Sequence, residues 1–239
     1  MPTVIKGQPP CTEIMQKLVE LDEPVGLAFS CGKDSIATWL AMREAGIKEI
    51  VPVYWWMVPE IGFVERSLAY YEEVFETPIT RLPNPSFYRF LKYGVFQTPE
   101  RCRVIEAADI IVPTHDQLWD ELIAERGLPK RMWKANGTRA ADSLMRRTSF
   151  MRHGIMKEGS RTVSPIADWL KGEVFAIMEK YDVKLPVDYE MTKRSFDGID
   201  GRYLVPIRER FPEDYEKIKA FFPMCDMGLI RSGVSPDEF

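Results

Sequence analysis

The chain has 239 residues, of which 45% are hydrophobic and 28% charged, ordinary values for a folded protein of one sizeable domain or two small ones. Its formal net charge of −4 excludes an electrostatic case for nucleic-acid binding over the whole surface, although the stretch from Lys130 to Arg152 is locally rich in Lys and Arg. Cys11, Cys31, Cys102 and Cys225 stand far apart with no C-x-x-C pair, which excludes zinc-ribbon spacing and a disulfide scaffold and fits a reduced, cytoplasmic setting.

The N-terminal stretch is Pro-rich and shows neither a signal peptide nor a membrane-spanning apolar run. Thr12 is placed to cap a short helix over Glu13–Leu21. Val25–Phe29 is an apolar run that reads as a strand. Asp34–Ala45 carries Ile36, Ala37, Leu40 and Ala41 at helical spacing and stops at Gly46. Ile50–Met57 is β-branched and aromatic, which makes a second strand and closes a βαβ unit with a parallel sheet and right-handed crossover. A helix over Phe63–Phe75 and a short strand over Pro78–Leu82 follow. The aromatic and basic stretch from Pro83 to Arg103 predicts a lid or short helices. His115–Arg126 is helical, Met132–Ala135 a fourth strand, Arg161–Ile166 a fifth extended piece, and Lys171–Tyr181 a helix. The last fifty residues read as helical and loop-rich, with a helix from Pro212 towards Phe222. The expected organisation is an N-terminal segment (1–23), one α/β domain (24–187) and a helical C-terminal extension of it (188–239). The expected fold is a parallel twisted sheet with helices on both faces.

Ser30-Cys31-Gly32-Lys33-Asp34-Ser35 falls between the first strand and the first helix of that unit. Ligands of parallel sheets sit beyond the carboxyl ends of the strands, and a helix N-terminus offers free amides and a positive dipole end to an anion. Gly32 permits close backbone approach, Lys33 adds charge, and Ser30 and Ser35 carry hydroxyl donors. Asp34 suits a helix-capping carboxylate or an outer ligand to a magnesium ion held mainly by phosphates. Neither G-x-x-x-x-G-K-[ST] nor G-x-G-x-x-G is present.

The loop resembles the S-x-G-K-D-S signature of the PP-loop ATP pyrophosphatase superfamily, whose members usually carry Gly where Cys31 stands. Two further segments narrow the resemblance to the phosphoadenosine phosphosulfate (PAPS) reductase-like family. "NGTRAADSLMRR" resembles G-x-R-x-x-[DE]-S-x-x-R through Gly137, Arg139, Asp142, Ser143 and Arg146. "SPIADWLKGEVFAIM" resembles P-[IL]-x-[DE]-W-x-x-x-[DE]-V-[WF] through Pro165, Ile166, Asp168, Trp169, Glu173, Val174 and Phe175. The resemblance implies an adenine nucleotide alpha-hydrolase-like (HUP) fold. It implies ATP or PAPS at Ser30–Ser35, with Lys33 and Asp34 in catalysis, and Arg139 and Arg146 on phosphates. It places the adenine near Tyr54, Trp55, Trp56 and Met57, and makes magnesium the companion of ATP.

Reductases of the family carry a C-terminal E-C-G-[IL]-H; here "PMCDMG" offers Cys225 without the flanking residues, and the cysteine pairs that hold an iron–sulfur cluster are missing. The expected activity is therefore cleavage of ATP at the α,β-phosphate to adenylate an acceptor. Two alternatives are a thiol-dependent sulfonucleotide reductase using Cys225, and a non-catalytic nucleotide-binding subunit of a complex. The expected partner is a small-molecule nucleotide; net charge does not indicate nucleic acid, and an oligomer is compatible with the sequence.

Overall fold

The computed structural model describes residues 3–192 and 195–231. Contacts divide the chain into two compact units: Met1–Tyr54 with Thr77–Thr80 and Asp120–Leu185, and Trp55–Glu76 with Arg81–Trp119 and Pro186–Phe239. The strands are β1 (Val25–Ala28), β2 (Ile50–Trp56), β3 (Thr80–Pro83), β4 (Trp133–Ala135), β5 (Met156–Lys157) and β6 (Thr162–Val163). They form one sheet in the order β3-β2-β1-β4-β6-β5. The pairs β1–β2, β1–β4 and β4–β6 are parallel, and β5 closes the edge antiparallel to β6. The chain adds strands on one side of β1 and then on the other, so the strand order reverses between β1 and β4. That reversal is where open parallel sheets form a ligand crevice.

In the first unit, β1 is a continuous apolar run because its neighbours leave it no solvent face; Val25 and Leu27 are buried. Helix α2 (Lys33–Ala45) follows it and stops at Gly46, whose φ of 101° lets its amide reach the carbonyls of Arg43 and Met42. Helices α1 (Cys11–Leu21) and α8 (Lys171–Lys180) pack against α2. Leu18, Leu27, Ile36, Met42 and Trp133 are among the most completely buried side chains of this unit.

Helix α1 starts at Cys11 after Pro10, without a side-chain cap of its own, so Thr12 is not its cap. The carboxylate comes from far along the chain: Asp168 Oδ2 accepts from the Cys11 amide at 2.9 Å, and the Asp168 carbonyl accepts from the Thr3 amide at 2.6 Å. Asp168 thereby supplies a first-turn amide of α1 with the acceptor that the local sequence lacks.

The second unit is aromatic at its centre. Helix α3 (Gly62–Phe75) sets Phe63 against Phe211 and Phe196, with ring centroids 5.0 and 5.7 Å apart. Its N-terminus is capped by buried Asp214, which accepts from the amides of Gly62 at 2.6 Å and Phe63 at 3.0 Å. The stretch expected to hold a lid or short helices contains α4 (Pro85–Lys92) and α5 (Pro99–Ala108), each opened by Pro and capped by Asn84 or Thr98. Helix α6 (His115–Glu125) spans the unit boundary, and α7 (Leu144–His153) belongs to the first unit. The C-terminal helices α9 (Val187–Thr192), α10 (Gly201–Arg210), α11 (Pro212–Phe221) and α12 (Asp226–Arg231) complete the second unit. No helix among the described residues is long and apolar enough to cross a membrane.

Asp168→Ala removes the acceptor of the Cys11 amide and is expected to cost about 1–2 kcal/mol. Urea unfolding of wild type and variant reads this as a lower midpoint at unchanged slope; an unchanged midpoint would show that the cap contributes nothing.

Candidate functional site

The loop between β1 and α2 and the loop after β4 leave the sheet at the same end, because β1 and β4 are parallel neighbours with Leu27 level with Ala135. Each begins where its strand stops. The first holds Ser30–Ser35; the second runs through Asn136, Gly137 and Thr138 to Arg139, then a single 3-10 turn (Ala140–Asp142) and α7.

The N-terminus of α2 has Gly32 in the capping position and no side-chain cap. The first amide bonded within the helix belongs to Ile36, which donates to the Gly32 carbonyl at 3.0 Å. The amides before it lack the intrahelical partners that later turns supply, and the positive end of the helix dipole lies with them. The loop is held in shape from inside. Ser35 Oγ donates to the Gly32 carbonyl at 2.9 Å and accepts from the Ser30 amide at 3.2 Å. Ser30 Oγ lies 3.3 Å from Ser35 Oγ and accepts from the Gly32 amide at 3.4 Å. The Ser35 proton, expected from the sequence to face an anion, thus goes to a loop carbonyl. Cys31 is buried at the bend with φ 58°, the left-handed conformation that Gly adopts without strain and a residue with Cβ does not.

Gly137 is fixed by a close approach. A Cβ placed there would sit 2.8 Å from the carbonyl carbon and oxygen of Asp34 and 3.0 Å from the Ser35 amide nitrogen. Only a residue without a side chain lets the loop after β4 lie against the first turn of α2. Asn136 sets that approach: its Oδ1 accepts from the Thr138 amide at 3.0 Å and from Ser164 Oγ at 2.9 Å. The Ala140 amide then donates to the Ala167 carbonyl at 2.7 Å. The three motifs are therefore stacked, the Ser30–Ser35 segment on Gly137 and the Gly137 segment on Ser164–Asp168.

Charges alternate across this stack. Lys33 Nζ lies 2.5 Å from Asp34 Oδ2, and Arg139 Nε lies 2.9 Å from Asp34 Oδ1. Arg139 Nη2 lies 2.6 Å from Asp142 Oδ1, and Arg146 Nη1 lies 2.6 Å from Asp142 Oδ2. The Arg139–Asp34 pair is close but poorly aligned: Nε and Oδ1 are both buried, and neither gains a hydrogen bond. Arg139 is 4% exposed, whereas half of the Arg146 side chain is exposed. Asp34 thus has a cation beside each oxygen, and the helix has no side-chain cap. Among the described residues no group of three or more His, Cys, Asp or Glu side chains is placed to hold a metal ion.

The remaining expected residues are placed as follows. Tyr54 and Met57 are buried. Trp55 and Trp56 are half-buried, Trp55 edge-on to His115 and Trp119 at 4.9 and 5.8 Å, and Trp56 edge-on to Phe87 at 5.1 Å. Cys225, the expected reductase nucleophile, has 0% exposure, and burial beside Asp226 pushes its thiol up to about 11. The thiolate is the attacking form of cysteine, and burial disfavours it. Sequence reasoning did not give Asp142 a role in the site, although its i,i+3 and i,i+4 spacing to the two arginines was the available signal.

No family model matches the sequence, and no curated protein matches it. Solved structures with a similar chain trace include the U34-tRNA thiolase NcsA from Methanococcus maripaludis with its 4Fe-4S cluster, 12% identical, with a TM-score of 0.46 over 90% of this chain and 79% of that one. They also include the NH3-dependent NAD synthetase from Campylobacter jejuni in complex with nitrate, 12% identical, with a TM-score of 0.44 over 96% of each chain. At these values neither likeness bears on what this chain does.

Two outcomes follow from the geometry. Gly137→Ala forces the loop off α2 and is expected to cost about 1–3 kcal/mol, read as a drop in thermal midpoint of about 2–4 °C per kcal/mol; a midpoint equal to wild type would refute the close approach. With a thiol reagent at pH 8 on the native protein, half-buried Cys102 reacts first, and Cys11 and Cys225 react only on unfolding. Rapid native labelling of Cys225, located by peptide mapping, would contradict its burial.

Proposed function

We propose that this protein binds ATP at Ser30–Ser35 and cleaves it between the α- and β-phosphates, passing AMP to an acceptor. The observation that carries the reading is the uncapped N-terminus of α2 at the strand-order reversal, with Lys33 in its first turn and Gly137 packed against it. Open amides, a dipole end and a lysine favour an anionic phosphate chain. Arg139 and Arg146 stand on the same loop stack, and guanidinium forks suit phosphate oxygens. In this reading the adenine lies by the end of β2, near Tyr54–Met57. Magnesium enters with the nucleotide as MgATP, since Asp34 already faces two cations.

The protein's part in the chemistry is to hold the phosphate chain and stabilise charge on the departing pyrophosphate. Amides and cations fixed in advance do this without a protein nucleophile. PAPS fits the same anion site, but burial of Cys225, which also pushes its thiol up, disfavours reduction by that residue.

Isothermal calorimetry with ATP, APS and PAPS on wild type and Lys33→Ala is the test. Wild type is expected to bind ATP, and Lys33→Ala to bind it at least tenfold more weakly. Saturation at one hundred times Kd is expected to raise stability by about 2.7 kcal/mol. With an acceptor present, pyrophosphate and the adenylated acceptor are the expected products. No binding of any of the three nucleotides, or sulfite released from PAPS, would overturn the proposal.

A further inference from the structure

The segment from Lys130 to Arg161 carries nine Lys and Arg residues against two acids, Asp142 and Glu158, in a chain of net charge −4. Its centre is α7, and α7 is not a core helix. Phe150 is its buried residue, while Leu144 is 79% and Met145 83% exposed. Leu144, Thr148 and Met151 form one line at i, i+4 and i+7, and helical geometry puts Arg147 and Arg152 on either side of it. The positive charge continues off the helix, to Lys157 on edge strand β5 and to exposed Lys130 and Arg131 before β4. Arg152, Lys157, Lys130 and Arg131 have no ion-pair partner among the described residues. Arg139, Arg146 and Arg161 are ion-paired, and the segment still keeps a net positive charge.

We infer that α7 and its flanks form a surface for the phosphodiester backbone of a nucleic acid. Charge complementarity selects a polyanion. Four of its arginines, Arg131, Arg146, Arg147 and Arg152, are exposed, and planar guanidinium forks match phosphate oxygens. The exposed Leu144, Met145 and Met151 offer apolar contact to unstacked bases between the arginine rows. An anionic membrane fits less well, because three apolar side chains on a ten-residue helix bury little area in a bilayer and the cations extend onto a strand and a loop. The stripe also begins at the candidate site, since Arg146 of α7 shares Asp142 with buried Arg139. Whole-chain charge does not indicate this surface; only the local run of Lys and Arg does. The inference concerns binding and stands apart from the proposed turnover of ATP.

The test is fluorescence anisotropy with labelled 20-nucleotide RNA and DNA, single- and double-stranded, at 50 to 200 mM salt. Wild type is expected to bind at least one form, with log K falling linearly against log salt. Arg147→Glu/Arg152→Glu and, away from the helix, Lys130→Glu/Lys157→Glu are each expected to weaken binding at least tenfold with an unchanged thermal midpoint. Lys33→Ala, which addresses the ATP reading, is expected to bind oligonucleotide as wild type does. No binding at 50 mM salt would overturn the inference, as would equal binding by both folded charge-reversal variants. Stronger uptake by phosphatidylserine vesicles, or displacement of the oligonucleotide by polyglutamate at equal charge, would also overturn it, in favour of a membrane or an acidic protein.

Discussion

The parallel pairing of β1 with β4 is the constraint on which the site depends. Chain segments a hundred residues apart become neighbours there, and both turn at the same end of the sheet. A parallel pair needs its crossover connections elsewhere, which leaves the space above these two strand ends to loops. The loop after β4 then lies on the first turn of α2, and the absence of a side chain at Gly137 is what lets it. A register slip of one residue at β4 would turn Trp133 and Ala135 to the other face and carry Asn136 away from Ser164. Position in the sheet, rather than any one catalytic group, is what assembles the loop stack.

Electrostatics on that stack are settled before any ligand arrives. Five charged side chains alternate in sign from Lys33 through Asp34, Arg139 and Asp142 to Arg146. A buried guanidinium without carboxylates would be costly, and the two aspartates offset that cost for Arg139. The same acids hold the cations in place. The Arg139–Asp34 contact is the weak point of the chain, close in distance yet without an aligned hydrogen bond. Both buried atoms still lack a hydrogen-bond partner, the Arg139 Nε–H an acceptor and Asp34 Oδ1 a donor.

How much of this was legible in the sequence follows from the range of the interactions. The strand–loop–helix over Val25–Ala45 was readable because its signals are local: an apolar run, a polar turn, helical spacing and Gly46 as a stop. The helices over Phe63–Phe75, Lys171–Tyr181 and Pro212–Phe222 were readable for the same reason, to within a residue or two at each end. Thr12 failed as a cap because Asp168, far along the chain, takes that role, and no local pattern encodes a tertiary cap. Edge strand β5 has two residues and no periodicity to detect. The two compact units interleave along the chain, with residues 55–76 and 81–119 grouped with 186–239, so no composition shift marks their borders. In the site, Lys33, Arg139 and Arg146 were identifiable as cations near one another through the family resemblance. Their mutual neutralisation by Asp34 and Asp142 needed distances.

Cys31 shows what the loop demands of its own backbone. Its φ of 58° costs a residue with a Cβ about 1–2 kcal/mol relative to glycine, and the thiol is buried all the same. Replacement by glycine would relieve the bend while loosening the denatured chain and emptying the thiol's niche, three effects of similar size and mixed sign. The tip of this turn is therefore a place where sequence can drift between two residue types at nearly level free energy, its shape dictated by the surrounding clamps instead of by the residue that occupies it.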